Sequence, residues 1–317
     1  MAVDEALRQQ ALTFFQPLPE VVAHLAGPDT PEKVALGKAL FLDPQLSQDG
    51  TISCNSCHQL DRYGVDNTPT SEGVRGQHGG RNSPTVYNAA LHNMQFWDGR
   101  ATDVEQQAGM PMLNPVEMAV PDETFLITKL KRTPNYPALF STAFPADKDP
   151  LTFANIREAI GAFERTLLTP SRFDAFLKGH TNALTPAEIA GLRVFLDVGC
   201  TNCHNGAAVG GNMLMKFGVH EDFRRLTGSS ASDEGRKQVT GAEADRDLFK
   251  VPGLLNVTKT APYFHDGHVA QLDSAIRIMA KVQLAKELTD QELIDLKAFL
   301  EALTGTVPRS AAVSALP

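Results

Sequence analysis

The sequence predicts a mainly α chain built from two tandem units, with long loops and little β structure. Three observations carry this reading. The motif Cys-x-x-Cys-His occurs twice, at residues 54–58 and 200–204. A helix start precedes each copy, and a second amphipathic run closes each unit well after it. Strand signals, alternating runs between turn residues, are scarce. The length of 317 residues suits two units, since domains run to roughly 100–200 residues.

Thr30-Pro31-Glu32 opens the first helix, with Thr as the cap and Pro in the first turn. Val34, Leu36, Leu40 and Phe41 give it an apolar face ahead of the first motif. After a Gly- and Pro-rich stretch, residues 153–163 read as the closing helix of the first unit. Leu168-Thr169-Pro170-Ser171 breaks the helical periodicity, which places the junction near Pro170. Thr185-Pro186-Ala187-Glu188 then repeats the helix start, with Ile189, Leu192, Phe195 and Leu196 leading to the second motif. Residues 288–303 close the second unit. Thr289 and Glu292 form a capping-box pattern there, and Leu293, Leu296, Leu300 and Leu303 share a face. The expected units are 1–169 and 170–305, followed by a small, polar and disordered tail at 306–317.

Hydrophobic residues make up 42% and charged residues 21%, which excludes a disordered acidic chain. No run approaches the roughly 18 apolar residues of a membrane-spanning helix. The net charge of −8 argues against nucleic acid as a partner. Met1-Ala2-Val3-Asp4 lacks the basic region and apolar run of a signal peptide, as expected of a mature form with a new start methionine.

All four cysteines, Cys54, Cys57, Cys200 and Cys203, lie in the two motifs. A zinc site would bring its pairs within roughly 15–20 residues, whereas 142 separate these. A redox dithiol leaves His58 and His204 unexplained. Covalent haem attachment accounts for all six residues, with two thioether bonds and one axial nitrogen per motif. An early helix, a haem motif, a loop-rich middle and a late helix resemble the outline of a class I cytochrome c domain. Each unit is therefore expected to carry one haem c. The second axial position then decides between electron transfer and catalysis. For the second haem, Met213, Met215 and Met279 are all candidates, and periodicity does not choose among them.

Further segments carry a more specific resemblance. They are Asn82-Ser83-Pro84-Thr85-Val86-Tyr87-Asn88, Phe96-Trp97-Asp98-Gly99-Arg100, Gln107-Ala108-Gly109-Met110-Pro111, Asn114-Pro115-Val116-Glu117-Met118 and Thr260-Ala261-Pro262-Tyr263-Phe264-His265-Asp266-Gly267. With the two haem motifs, they resemble the bacterial dihaem cytochrome c peroxidases, a superfamily that includes the MauG-type proteins. The resemblance covers roughly residues 20–305.

It implies a low-potential peroxidatic haem on Cys54, Cys57 and His58, and a high-potential electron-entry haem on Cys200, Cys203 and His204. It implies Met279 as distal ligand of the second haem, where MauG-type relatives carry Tyr. Glu117 matches the distal acid–base residue, and Gln107 the distal amide. A carboxylate there can move a proton between the oxygens of peroxide, and an amide can orient the molecule. Trp97 matches a residue between the haems that assists electron transfer. Asn82, Thr260 and Pro262 match a calcium site, whose donors would be one amide oxygen and two carbonyls.

The implied activity is reduction of hydrogen peroxide to water, with electrons from a monohaem cytochrome c or a cupredoxin. A periplasmic location and a homodimer are the matching expectations. A pure electron carrier would have no use for Glu117 and Gln107, and Met279 weighs against a MauG-like oxidase. One departure stands out. Where many of these peroxidases place a distal His, eight residues before the Asn of Asn-x-Pro-Thr, this chain has Val74. His78 lies nearby among Gly73, Gly76, Gly79 and Gly80, and could serve only if the loop folds differently. The first iron is therefore expected to lack a protein distal ligand.

Overall fold

The computed structural model describes residues 2–24 and 27–312. Thr30 caps the helix Pro31–Leu42: its hydroxyl accepts from Lys33 N at 3.2 Å. Pro31 occupies the first turn, where a backbone donor has no partner to lose. Thr185 opens Pro186–Val198 in the same way, and Glu188 accepts from Thr185 N at 2.7 Å. Thr289 and Glu292 repeat that reciprocal pair at the head of Asp290–Ala302. Thr152 caps the fourth of these helices, Phe153–Glu164. The only paired strands among the described residues are Leu214–Lys216 and Leu248–Lys250, antiparallel, with Leu214 opposite Lys250.

The four helices pack as two crossings. Pro31–Leu42 lies on Phe153–Glu164, and Pro186–Val198 lies on Asp290–Ala302. Each crossing is close because a glycine faces a backbone carbonyl. A Cβ on Gly37 would stand 1.8 Å from the carbonyl oxygen of Ala159, and one on Gly191 would stand 1.9 Å from that of Asp295. Apolar side chains close around each contact. Leu36, Leu40 and Phe41 meet Ile156, Ile160 and Phe163 in the first core. Leu192 and Phe195 meet Leu296, Phe299 and Leu300 in the second. Edge-to-face pairs fix the rings, with Phe41–Phe163 at 5.4 Å and Phe195–Phe299 at 5.2 Å.

The loop-rich middles repeat as well, at a spacing of 168 residues. Asn88 and Asn256 both adopt left-handed backbone, with φ of 61° and 64°. Asn88 N bonds Leu167 O at 2.9 Å, and Asn256 N bonds Leu303 O at 3.2 Å. Phe96 and Phe264 also share positive φ, and the helices Val104–Leu113 and Leu272–Leu284 start at matching positions. Within these loop-rich stretches the two halves can be compared residue by residue.

Both chain ends join the core of the other half. The helix Ala2–Ala11 sets Leu7 and Ala11, followed by Phe15, into the second core, where Phe15 meets Phe173 edge-on at 5.2 Å. At the other end Thr306 N bonds Pro170 O at 3.0 Å, and Val307 and Ala311 pack against the first core. The tail expected to be disordered from residue 306 is thus ordered through 312, because these two apolar side chains find a buried seat. Residues 313–317 lie outside the described residues.

The glycine crossing yields a direct test. Gly37→Ala should lower unfolding free energy by about 2–3 kcal/mol, because the new methyl has only backbone to push against. Gly80→Ala, which meets no atom within 4 Å, should leave it unchanged within about 0.5 kcal/mol. Chemical denaturation curves of the two variants would show equal midpoints if the crossing tolerates a side chain.

Candidate functional site

Each Cys-x-x-Cys-His segment is one tight turn that points its His inward. His58 N bonds Cys54 O at 2.9 Å, and His204 N bonds Cys200 O at 2.9 Å. The ring of His204 is set by a hydrogen bond from Nδ1 to Val209 O at 3.3 Å, which leaves Nε2 with its lone pair. Burial pushes His204 down to about 4, with the backbone of Val209 and Pro252 opposing, so the imidazole is neutral at pH 7. His58 is half-buried and is lowered by desolvation, with the backbone of Gly64 and Pro84 opposing; among the described residues its buried Nδ1 has no close hydrogen-bond partner.

The thiols are unlike those of a redox dithiol. Burial raises Cys57 to about 11 and Cys200 to about 12, and raises Cys54 and Cys203 as well. A reactive Cys-x-x-Cys pair lowers its thiol instead. Among the described residues no three His, Cys, Asp or Glu side chains converge as a metal cluster.

The second motif opens on a mostly apolar cavity with about 1800 Å³ of atom-free space, part of it open to solvent. Cys200, Cys203 and His204 line it, with Met279 from the helix Leu272–Leu284. Met215 also reaches this cavity, whereas Met213 does not line it. Trp97 forms part of its wall and donates from Nε1 to Asn82 O at 2.9 Å.

Beside the first motif stands Glu117. Its charge reaches Cys57, and its own carboxyl is raised by burial, with Arg100 and Asn114 pulling it down. Asn114 Nδ2 donates to Glu117 Oε1 at 2.7 Å, while Asn114 Oδ1 accepts from Val116 N at 3.1 Å. The turn therefore grips its own carboxylate. Arg100 is a site residue that motif reading alone left without a role. Its guanidinium lies 3.5 Å from the Phe96 ring centroid and donates to Asp98 at 2.7 Å. Gln107 is half-buried on Val104–Leu113, and among the described residues its amide makes no hydrogen bond.

The loop above Glu117 is closely fitted. Gly73 N bonds Gln77 O at 2.7 Å and Val74 N bonds Glu117 O at 2.9 Å. A Cβ on Gly73 would stand 2.1 Å from Val116 O. Val74 is buried, while His78 is exposed with Nδ1 3.1 Å from Thr70 O. His78 thus lies on the outer side of the loop.

Asn82 and Pro262 meet where the two halves join, and Thr260 lines the same cavity. Asn82 N bonds His265 O at 2.7 Å, and its side-chain Nδ2 donates to Pro262 O at 2.7 Å. Asn67 Nδ2 donates to Ala261 O at 2.8 Å beside it. A hard cation here would need the Asn82 amide turned so that Oδ1, rather than Nδ2, faces Pro262 O. Arg81 ties the same seam, with a two-pronged bond to Asp233 at 2.7 Å and one to Asp98 at 2.6 Å.

The di-haem cytochrome c peroxidase family signature matches residues 31–182. The cytochrome c551 peroxidase of Pseudomonas aeruginosa is 43% identical over 313 residues, covering 98% of this chain and 89% of that one. That of Nitrosomonas europaea is 45% identical, covering 89% and 82%. The chain belongs to the dihaem cytochrome c peroxidase family. MauG of Paracoccus denitrificans, in the same superfamily, is 36% identical, covering 80% of this chain and 76% of that one. The crystal structure of a MauG-like protein associated with microbial copper homeostasis superposes with a TM-score of 0.80 at 28% identity, covering 94% and 96%.

Membership in the dihaem peroxidases implies two haems c, and the residues fit them. A neutral imidazole faces the second cavity, an imidazole with a buried, orphaned Nδ1 stands at the first motif, and four unbridged cysteines flank them. The first motif has a further neighbour that sequence reading missed. Glu164 is buried at the end of Phe153–Glu164, and its charge reaches Cys54. Burial and the charge of Glu105 push it up to about 8, with Arg165 opposing. The folded state therefore keeps this proton to higher pH than the unfolded chain does. Stability falls as pH rises from about 4.5 to 8, by up to about 1.4 kcal/mol per unit. Glu164→Gln should remove that slope, so its melting temperature should gain on the wild type as pH rises. Parallel melting curves across the window would show that Glu164 does not carry the proton.

Proposed function

We propose that the protein reduces hydrogen peroxide to water with electrons taken singly from a small soluble donor, a cytochrome c or a cupredoxin, in the periplasm. In this reading Cys54, Cys57 and His58 would hold one haem, and Cys200, Cys203, His204 and Met279 would hold the other. When bound, the haems would supply one-electron chemistry. The observation that carries the proposal is the half-buried Glu117 carboxyl, gripped by Asn114 beside the first motif.

Reduction consumes two electrons and two protons per peroxide and yields two waters. Glu117 accepts a proton from one peroxide oxygen and returns it to the other, so that oxygen leaves as water. Burial raises its affinity for the proton, which suits a group that must both take and give one near neutral pH. Arg100 offsets the negative charge around the carboxyl, and Gln107 has a free amide with which to orient peroxide. Trp97 stands in the wall of the second cavity and bonds the backbone at the seam between the halves, a place suited to electron passage. A calcium ion on Asn82, Thr260 and Pro262 would brace that seam.

Two measurements test this reading. Glu117→Gln should keep both haems and lose about 10²–10⁴-fold in peroxide turnover with reduced cytochrome c. An unchanged rate removes Glu117 from the mechanism. With Val74 buried and His78 outside the loop, the fully oxidised protein should bind cyanide or azide without prior reduction. A low-spin, bis-histidine spectrum of the first haem that ignores cyanide would assign His78 a ligand role instead.

A further inference from the structure

Lys250 is 4% exposed. Its ammonium has a single hydrogen bond among the described residues, 3.2 Å to His92 Nδ1. Asp98, the carboxylate whose charge reaches it, is already taken by Arg81 and Arg100. A buried cation without an anion is costly. Burial accordingly pushes Lys250 down to about 8, with Asp98 opposing.

The position is built from both halves. Lys250 comes from the strand Leu248–Lys250, and His92 follows the turn Ala89–Leu91 of the first half. Two glycines are bare to admit the imidazole. A Cβ on Gly211 would stand 2.1 Å from His92 Cδ2, and one on Gly253 would stand 2.8 Å from His92 Nε2. Burial and the neighbouring ammonium drive His92 far below its usual range, so the ring is neutral and its Nδ1 accepts from Lys250. Both side chains line the cavity that holds Cys200, Cys203, His204 and Met279.

The internal repeat shows that the charge is not needed to close the seam. At a spacing of 168 residues Lys250 matches Asn82, and His92 matches Thr260. The backbones correspond: Asn82 N bonds His265 O at 2.7 Å, and Lys250 N bonds Trp97 O at 2.6 Å. One copy closes the seam with a neutral amide on Pro262 O, and the other carries a full positive charge into the cavity.

We propose that Lys250, oriented by His92, is the seat for a carboxylate of the group bound in the second cavity, a haem propionate. This rests on the reading that Cys200, Cys203 and His204 hold a haem there. The pair places a fixed cation beside that haem, on the side where Lys250 N meets Trp97. A cation there favours the electron-rich state and raises the reduction potential of the second haem over the first.

The test uses the complete two-haem protein. Pyridine haemochrome analysis counts haems, and a spectroelectrochemical titration reads both potentials. Lys250→Gln should lower the potential of the second haem and leave the first unmoved, while Lys250→Arg should stay near the wild type. An unmoved second potential, or equal shifts in both haems, overturns the proposal. A measurement on the wild type guards against a glutamine variant that does not fold: the resonance Raman propionate-bending band of the second haem should lie at its hydrogen-bonded frequency. A band at the unbonded frequency also overturns the proposal. Fewer than two haems per wild-type chain would overturn the underlying haem reading first, and the lysine proposal with it.

Discussion

The contact on which the rest depends is the approach of helix backbone to helix backbone, made twice. Gly37 against Ala159 and Gly191 against Asp295 bring opening and closing helices so near that no side chain fits between them. Close-packed interiors do not deform gradually, so this spacing fixes where the helix ends lie. The opening helices lead into the Cys-x-x-Cys-His turns, and the closing helices return the chain to the left-handed Asn88 and Asn256. Thr169 joins the two systems at their meeting point. Its hydroxyl accepts from Asn88 Nδ2 at 2.7 Å and from Asn256 Nδ2 at 2.9 Å. One short side chain thus serves both repeats.

The parts of this architecture that depend on local chemistry were legible in the sequence. Thr30 with Pro31, Thr185 with Glu188 and Thr289 with Glu292 are short-range caps, and each begins a helix at the expected residue. The paired motifs were equally plain, because every cysteine is spent on them. What stayed hidden depends on distant partners. Leu7, Ala11 and Phe15 have helical spacing, but spacing does not say which core they will enter. Val307 and Ala311 are two small apolar residues in a polar tail, too weak a pattern to announce a buried seat.

The same division runs through the candidate site. Glu117 and Gln107 were found by the segments around them. Glu164, Arg100 and Lys250 were not, because a buried carboxylate or lysine is distinguished only by the company it keeps in space. Glu164 follows a string of core residues and reads as one more helix-end charge. Lys250 sits between Phe249 and Val251 and reads as the solvent-facing position of a strand. In the folded protein both are buried, and burial is what gives them unusual proton affinity.

The exchange of chain ends between cores has a consequence for how the molecule is assembled and dismantled. During synthesis the amino-terminal helix emerges long before Phe173, Phe195 and Phe299, the rings around its seat, have been made. The first core, in turn, waits for Val307 and Ala311, which are made long after its closing helix Phe153–Glu164. Neither half closes its core until residues of the other half have been made. A nick at the junction near Pro170 would therefore not release two cytochrome-like pieces, since each fragment would still hold part of the other's interior. Genetic dissection into single-haem halves calls for rewiring the ends, with residues 2–15 grafted to the second half and residues 306–312 to the first.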